Sequence, residues 1–266
     1  LLKFILFPGF LFLLAGANAQ YSTSVAKIYS ANVKDSFEIY ITQRTDSASV
    51  PYDEIIYYLD ADLKSGKKLR QLAEDDRIKF RKRILFVGIG HIGNYHQLRR
   101  RDFILPFIQN GDTIPKSPEY GQIDRFYKFL NSELIPSINT RYASTGRRSI
   151  VGHSLGGLFV VYCLFRNEGI FDAYFALSPS LWIDGYQIFS FNRLDKQLVD
   201  SSYFFFAAGK KERFNHILKG FDKMEALMKE KNYPGILFRW HIYPGTHNSY
   251  IKKHLDRILY QEILSR

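Results

Sequence analysis

The chain has 266 residues, 46% of them hydrophobic and 24% charged, with a formal net charge of +11. That balance excludes intrinsic disorder and suits one domain with a sizeable core, since single α/β domains reach roughly 250 residues. The basic residues fall in short groups (Lys67-Lys68, Arg81-Lys82-Arg83, Arg99-Arg100-Arg101, Arg147-Arg148, Lys210-Lys211, Lys252-Lys253) with no nucleic-acid-binding module around them. They read as solvated loop charge, so no nucleic-acid partner is expected, and the positive field would at most steer an anionic substrate.

Residues 1–19, LLKFILFPGFLFLLAGANA, place one lysine before a long apolar run and end on Ala17-Asn18-Ala19. Small residues at the minus-three and minus-one positions make this a signal peptide cleaved before Gln20. The expectation is an exported protein, periplasmic or secreted, with residues 20–266 as a single domain and no stable membrane insertion after cleavage. Cys163 is the single cysteine, so no internal disulfide is possible, and its neighbours Val161, Tyr162, Leu164 and Phe165 predict a buried thiol.

Beyond residue 20 short β-rich runs alternate with longer amphipathic ones. Strands are predicted at Ser36–Arg44, Ile55–Asp60, Arg83–Gly90, Ser149–Gly152, Asp172–Ser178, Tyr203–Ala208 and Ile236–Tyr243. Three-to-four spacing of apolar residues predicts helices over Tyr120–Asn139, Phe214–Lys231 and His247–Leu264. The least regular stretch, Gly90 to Ser117, is expected as a long loop near the carboxyl ends of the strands, with His91 and His96 as loop residues beside a cleft. Alternating strand and helix predicts an α/β domain with a mostly parallel central sheet, and near-continuous apolar strands such as YFFFAA suit burial on both faces.

Residues 149–165, SIVGHSLGGLFVVYCLF, set Ser154 between Gly152 and Gly156 where a strand signal turns into a helical one. This is the pattern of a nucleophile elbow, although the pentapeptide alone arises by chance in roughly one chain of this length in ten. An activated serine needs a base, and the base needs an orienting group, which follow in the order Ser, Asp or Glu, His in α/β-hydrolases. Of the four histidines downstream, His241 lies inside a strand run, His216 in a first helical turn and His254 well along the last helix. His247, in PGTHN, directly follows the last strand and is the candidate base. Glu212, just after YFFFAA, is the candidate acid, with Asp184 and Asp222 behind it. The candidate oxyanion donors are the backbone N–H groups of Leu155, next after the nucleophile, and of Asp62, in the loop after IIYYLD. His153 reads as a packing residue of the elbow, and Trp182 and Tyr186 as pocket-shaping, substrate-binding residues. No paired cysteines, HExxH, Walker loop or dinucleotide fingerprint is present, so neither metal nor cofactor is expected.

ELIPSINTRY, RRSIVGHSLGGLFVVYCLF and FDAYFALSPSLW, between Glu133 and Trp182, together resemble the esterase family of α/β-hydrolases. YYLDAD, ILFVGIG and RRRDFILP resemble its strand and loop landmarks upstream, and GKKE and YPGTH its acid and base loops, so that the resemblance covers nearly all of residues 35–266. That family includes siderophore (enterobactin-type) esterases, esterase D, feruloyl and acetylxylan esterases and mycobacterial mycolyltransferases. The resemblance implies an α/β-hydrolase fold with helices on both faces of the sheet, Ser154 as nucleophile, His247 as base, Glu212 as acid, and Asp62 and Leu155 as oxyanion donors. Two departures stand out: Ala61 where the family often has glycine, and Asn248-Ser249-Tyr250 where many relatives carry aromatic residues. The implied function is a serine esterase acting through an acyl-enzyme on small-molecule or carbohydrate-linked esters, whether siderophore-type, hydroxycinnamoyl or acyl-carbohydrate. An acyltransferase using the same acyl-enzyme, and a non-catalytic siderophore- or carbohydrate-binding protein, are the alternatives.

Overall fold

In a computed structural model of the chain, the structure describes residues 21–45, 50–75, 78, 80, 82–109, 112–114, 119–194, 201–212 and 215–264. The expected signal segment, residues 1–19, and the cleavage site before Gln20 lie outside the described residues.

In chain order the elements are β1 (Tyr21–Ser30), β2 (Asp35–Arg44), β3 (Glu54–Leu59), α1 (Lys64–Ala73), β4 (Ile84–His91), α2 (Tyr95–Phe103), β5 (Phe107–Gln109), β6 (Asp112–Ile114) and α3 (Ile123–Phe129). A π-helical turn, Leu130–Leu134, joins α3 to α4 (Ile135–Arg141). Then come β7 (Arg148–His153), α5 (Leu155–Arg166), β8 (Ala173–Leu177), a 3₁₀ segment (Ile183–Phe191), β9 (Ser202–Gly209), α6 (Asn215–Lys231), β10 (Ile236–Tyr243), α7 (Ser249–Ile258) and a closing π-helical turn (Leu259–Leu264).

Among the described residues, eight strands form one sheet in the order β1-β2-β4-β3-β7-β8-β9-β10, while β5 and β6 form a separate hairpin. β2 is antiparallel to both β1 and β4, and every pairing from β4 to β10 is parallel. Strand side chains alternate between the two faces. Ile55, Tyr57 and Leu59 join one core with Phe126 of α3, Phe159 of α5 and Met224 of α6. Ile56 and Tyr58 join the other with Leu69 of α1 and Ile251 of α7. Burial on both faces is why β3, β4 and β8 read as unbroken apolar runs. The single Cys163 lies in the middle of α5 with 1% of its surface exposed.

Three expectations need correction. The stretch 90–117 is not one long loop, because it holds the last residues of β4, helix α2 and the β5–β6 hairpin. Helix α2 has only Asp102 and Phe103 buried, so its sequence lacks the apolar stripe that marks a helix. His91 is no loop residue; it ends β4, is 5% exposed, and its Nε2 lies 3.0 Å from Asp102 Oδ2. Arg99 and Arg101 are not solvated charge either. Arg101 donates to Asp102 and to Asp35, and Arg99 forms a pair described below.

Candidate active site

Five neighbouring parallel strands, β3, β7, β8, β9 and β10, each end in a loop that carries part of the site. At the end of β7 the chain turns into α5 through Ser154, whose φ of 60° and ψ of −117° lie where non-glycine residues are rarely found. The turn is closed by its neighbours. Ser154 N–H donates to Leu177 O at 2.9 Å, and Ser154 O accepts from the N–H groups of Ser180 and Leu158, each at 3.0 Å. A Cβ on Gly152 would stand 2.3 Å from the carbonyl oxygen of Gly156, which is why strand and helix can approach this closely only with glycine there. Ser154 opens the helix without spending its hydroxyl on a cap bond. Its Oγ instead lies 3.3 Å from Ser180 Oγ.

Glu212 and His247 sit in the loops after β9 and β10. His247 Nδ1 donates to Glu212 Oε2 at 2.8 Å. Glu212 Oε1 accepts from Ser178 Oγ at 2.5 Å and from Gly209 N–H at 3.0 Å. Burial alone would push this carboxyl up, but the donors from His247, Ser178 and Gly209 outweigh it and hold its pKa below the usual glutamate value. An ionised acceptor on Nδ1 keeps the proton there and leaves Nε2 as the basic atom. Asp184 is exposed on the 3₁₀ segment and Asp222 is exposed on α6, so of the three acids considered Glu212 is the one bonded to the imidazole.

Ser154 and His247 form no direct hydrogen bond in this arrangement. His153, next to Ser154, links the elbow to the His247 loop: its Nε2 lies 3.0 Å from the backbone oxygen of His247, and its ring centre lies 4.5 Å from that of His247 at a tilt of 39°. His153 is therefore more than packing for the elbow; it ties the base loop to it.

The turn after β3 contains the second candidate oxyanion donor. Ala61 N–H donates to Ile89 O at 3.1 Å and Leu63 N–H to Asp60 O at 2.9 Å, whereas among the described residues Asp62 N–H has no backbone acceptor and interacts with its own carboxylate. At the start of α5 the Leu155 N–H belongs to the first helical turn, whose donors have no partner within the helix. Burial raises the pKa of the Asp62 carboxyl above the ordinary aspartate value.

Sequence reasoning missed Arg99. Its Nε donates to Asp60 Oδ1 at 2.7 Å, and its Nη2 donates to Asp60 Oδ2 at 2.9 Å and to His153 O at 3.3 Å. One guanidinium thus clamps the turn after β3 to the elbow after β7. Asp60 is 1% exposed and holds a φ of 58°. A Cβ on Gly156 would stand 3.2 Å from its Oδ2. Ser178 and Ser180 were missed as well, although both stand in the SPSLW motif.

Trp182 lies two residues beyond Ser180, is 37% exposed and has its ring 5.9 Å from that of His216. Tyr186 is half-buried, with Lys223 Nζ 5.2 Å from its ring centre. Asp184, Gly185 and Tyr186 are three consecutive residues with positive φ, a conformation that costs free energy and is concentrated at functional sites. Among the described residues no group of three or more His, Cys, Asp and Glu side chains could hold a metal, and no helix is long and apolar enough to cross a membrane.

Residues 54–249 match the family model described as "Putative esterase". The chain is 30% identical to the ferri-bacillibactin esterase BesA of Bacillus subtilis over 171 residues, covering 60% of this chain and 58% of that protein. It is 34% identical to the siderophore triacetylfusarinine C esterase of Aspergillus fumigatus over 101 residues, 37% of this chain and 33% of that one. The aligned stretches thus span less than two thirds of either relative. The crystal structure of the BES protein from Bacillus cereus superimposes with a TM-score of 0.74 at 24% identity, covering 88% of this chain and 92% of that one, and shares its fold.

Proposed function

This chain belongs to the esterase family of α/β-hydrolases, and from that membership we propose an exported serine esterase that cleaves siderophore-type esters through an acyl-enzyme. The observation that carries the mechanism is the His247–Glu212 bond of 2.8 Å, made beside a serine that sits on a strained strand-to-helix turn. In this reading Ser154 Oγ attacks the ester carbonyl while His247 Nε2 takes its proton, and Glu212 holds the imidazole through Nδ1. The N–H groups of Leu155 and Asp62 receive the oxyanion. Collapse of the tetrahedral intermediate breaks the ester C–O bond, and His247 returns its proton to the departing alkoxide. Water then attacks the acyl-enzyme by the same route, regenerating Ser154 and releasing the acid.

The substrate class rests on the relatives named for ferri-bacillibactin and triacetylfusarinine C, and on a net charge of +11 that would attract an anionic ester. Export rests on the signal-like residues 1–19. The test is hydrolysis of a short-chain nitrophenyl ester by residues 20–266 and by Ser154→Ala. The variant should fall to the uncatalysed rate, and a fully active variant would remove the serine from the mechanism. A panel of siderophore, feruloyl and acetyl-sugar esters then assigns the substrate, and an added alcohol that outcompetes water would redirect the reading to acyl transfer.

A further inference from the structure

The turn after β8 touches the candidate nucleophile and the candidate acid at once. Ser178 and Ser180 are 0% and 4% exposed, so each hydroxyl must find a partner inside the protein. Ser180 finds Ser154, through Oγ–Oγ at 3.3 Å and through its own N–H to Ser154 O at 3.0 Å. Ser178 finds Glu212, with Oγ donating to Oε1 at 2.5 Å. The residue between them, Pro179, is pressed against the start of α5, where a Cβ on Gly157 would stand 2.9 Å from Pro179 Cα. The turn is fixed in return by Ser178 N–H, which donates to Ala207 O of β9 at 2.7 Å, and Ser178 itself holds a φ of 41°.

We propose that Ser178-Pro179-Ser180 is a positioning strap for catalysis, in which Ser180 holds the Ser154 hydroxyl and Ser178 holds the Glu212 carboxylate, so that one short turn sets the distance between the two ends of the relay. This rests on the esterase reading above. The Ser178 hydroxyl has one proton. Since the carboxylate takes it, the Tyr250 phenol, 3.1 Å from Ser178 Oγ, is left as the donor to Ser178, and the chain runs Tyr250 to Ser178 to Glu212 to His247. A purely structural pair of serines would need only to be satisfied, by any backbone group nearby. Here both are spent on the side chains that the reaction uses, and Ser180 fixes the direction of a Ser154 Oγ that makes no helix-cap bond.

The two halves of the strap give different kinetic signatures. Without the Ser178 donor Glu212 becomes more basic, pulls harder on the Nδ1 proton and raises the imidazole pKa, so the acid limb of kcat/KM moves to higher pH. The other titratable groups around this pair are His153 on the β7 side and, on the α7 side, Tyr250 with Tyr243 stacked upon it; these remain unchanged in the variant. Without the Ser180 hydroxyl only the orientation of the nucleophile is lost, so kcat falls while KM and the pH profile stay in place.

The experiment is steady-state hydrolysis of nitrophenyl acetate across pH by wild type, Ser154→Ala, Ser180→Ala, Ser178→Ala and Ser178→Cys, each checked for folding by circular dichroism. Ser180→Ala should lose kcat by roughly 2- to 13-fold, the range of one net hydrogen bond, at constant KM. Ser178→Ala should shift the acid limb upward, and Ser178→Cys, which is unbranched and keeps a weaker S–H donor, should restore part of it. A wild-type kcat in folded Ser180→Ala with Ser154→Ala inactive overturns the strap and leaves the esterase reading standing. The same kcat with Ser154→Ala still active overturns both. Should Ser178→Ala not fold, Ser180→Ala decides by itself.

Discussion

The ring of His153 and the backbone of His247 are joined by a hydrogen bond of 3.0 Å, from the residue that precedes the candidate nucleophile to the candidate base itself. A carbonyl oxygen only accepts, so His153 must carry its proton on Nε2. Burial, with the nearby His247 adding to it, pushes the His153 pKa down to about 3. At working pH the His153 imidazole is therefore neutral.

Lowering a histidine pKa in the folded chain makes its stability contribution pH-dependent in a known direction. The unfolded chain binds the proton near pH 6.5 and the folded chain only near 3, so stability is full above 6.5 and declines as pH falls through that window. Urea denaturation of wild type between pH 7 and pH 5 should show this decline, and His153→Phe, though less stable at pH 7, should show a flatter dependence. Equal slopes in the two proteins would mean that His153 titrates normally.

Glu212→Gln should be folded and nearly inactive. The carboxylate accepts from three donors, His247 Nδ1, Ser178 Oγ and Gly209 N–H, and an amide has one oxygen and an NH₂ to offer them. If the NH₂ faces Nδ1, the imidazole proton moves to Nε2 and the base is lost. A fall in kcat of about 10³- to 10⁴-fold is expected, with KM within a few-fold, as for other triads whose acid is amidated. Retention of more than a tenth of wild-type kcat would remove Glu212 from the relay.

Arg99→Met leaves Asp60, whose side chain is 2% exposed, without its counter-charge. Breaking a buried pair from one side costs about 3–5 kcal/mol, which urea denaturation would register directly. Adding Asp60→Asn should recover much of that stability, because asparagine accepts a positive φ. Activity should not return, since the clamp between the turn after β3 and the elbow stays severed. Recovery of both would show that the pair serves the fold alone.

Gly152→Ala would drive a methyl group to 2.3 Å from the Gly156 carbonyl, a backbone atom that cannot swing aside. Opening the elbow should cost about 3 kcal/mol and displace Ser154, so melting temperature and kcat should fall together. A variant with unchanged melting and unchanged kcat would contradict the close strand-to-helix approach.

What could be read from the sequence followed from burial. Strands β3, β4, β8 and β9 are buried on both faces, so their apolar runs announced them within a residue or two. Strand β1 went unseen because its pattern is mostly exposed, and α1 because its ten residues include three lysines, an arginine and a glycine. At the site, residues next to a motif were accessible, as with Ser154, Leu155 and His247. Contacts across the chain were not. Arg99 looked like one of three surface arginines because its partner lies 39 residues away, and Ser178 looked like a strand end because Glu212 lies 34 residues on.

Cys163 offers a means of timing the fold. It is the single cysteine of these 266 residues, it sits 1% exposed in the helix that the elbow begins, and burial holds its thiol well above its usual pKa. A thiolate is what alkylating reagents trap, so the native protein should be silent toward them and each modified molecule should mark one opening of α5. Mass spectrometry of alkylation against time would then read the opening free energy of helix α5 in the unmutated protein, at a pH where an exposed thiol ionises.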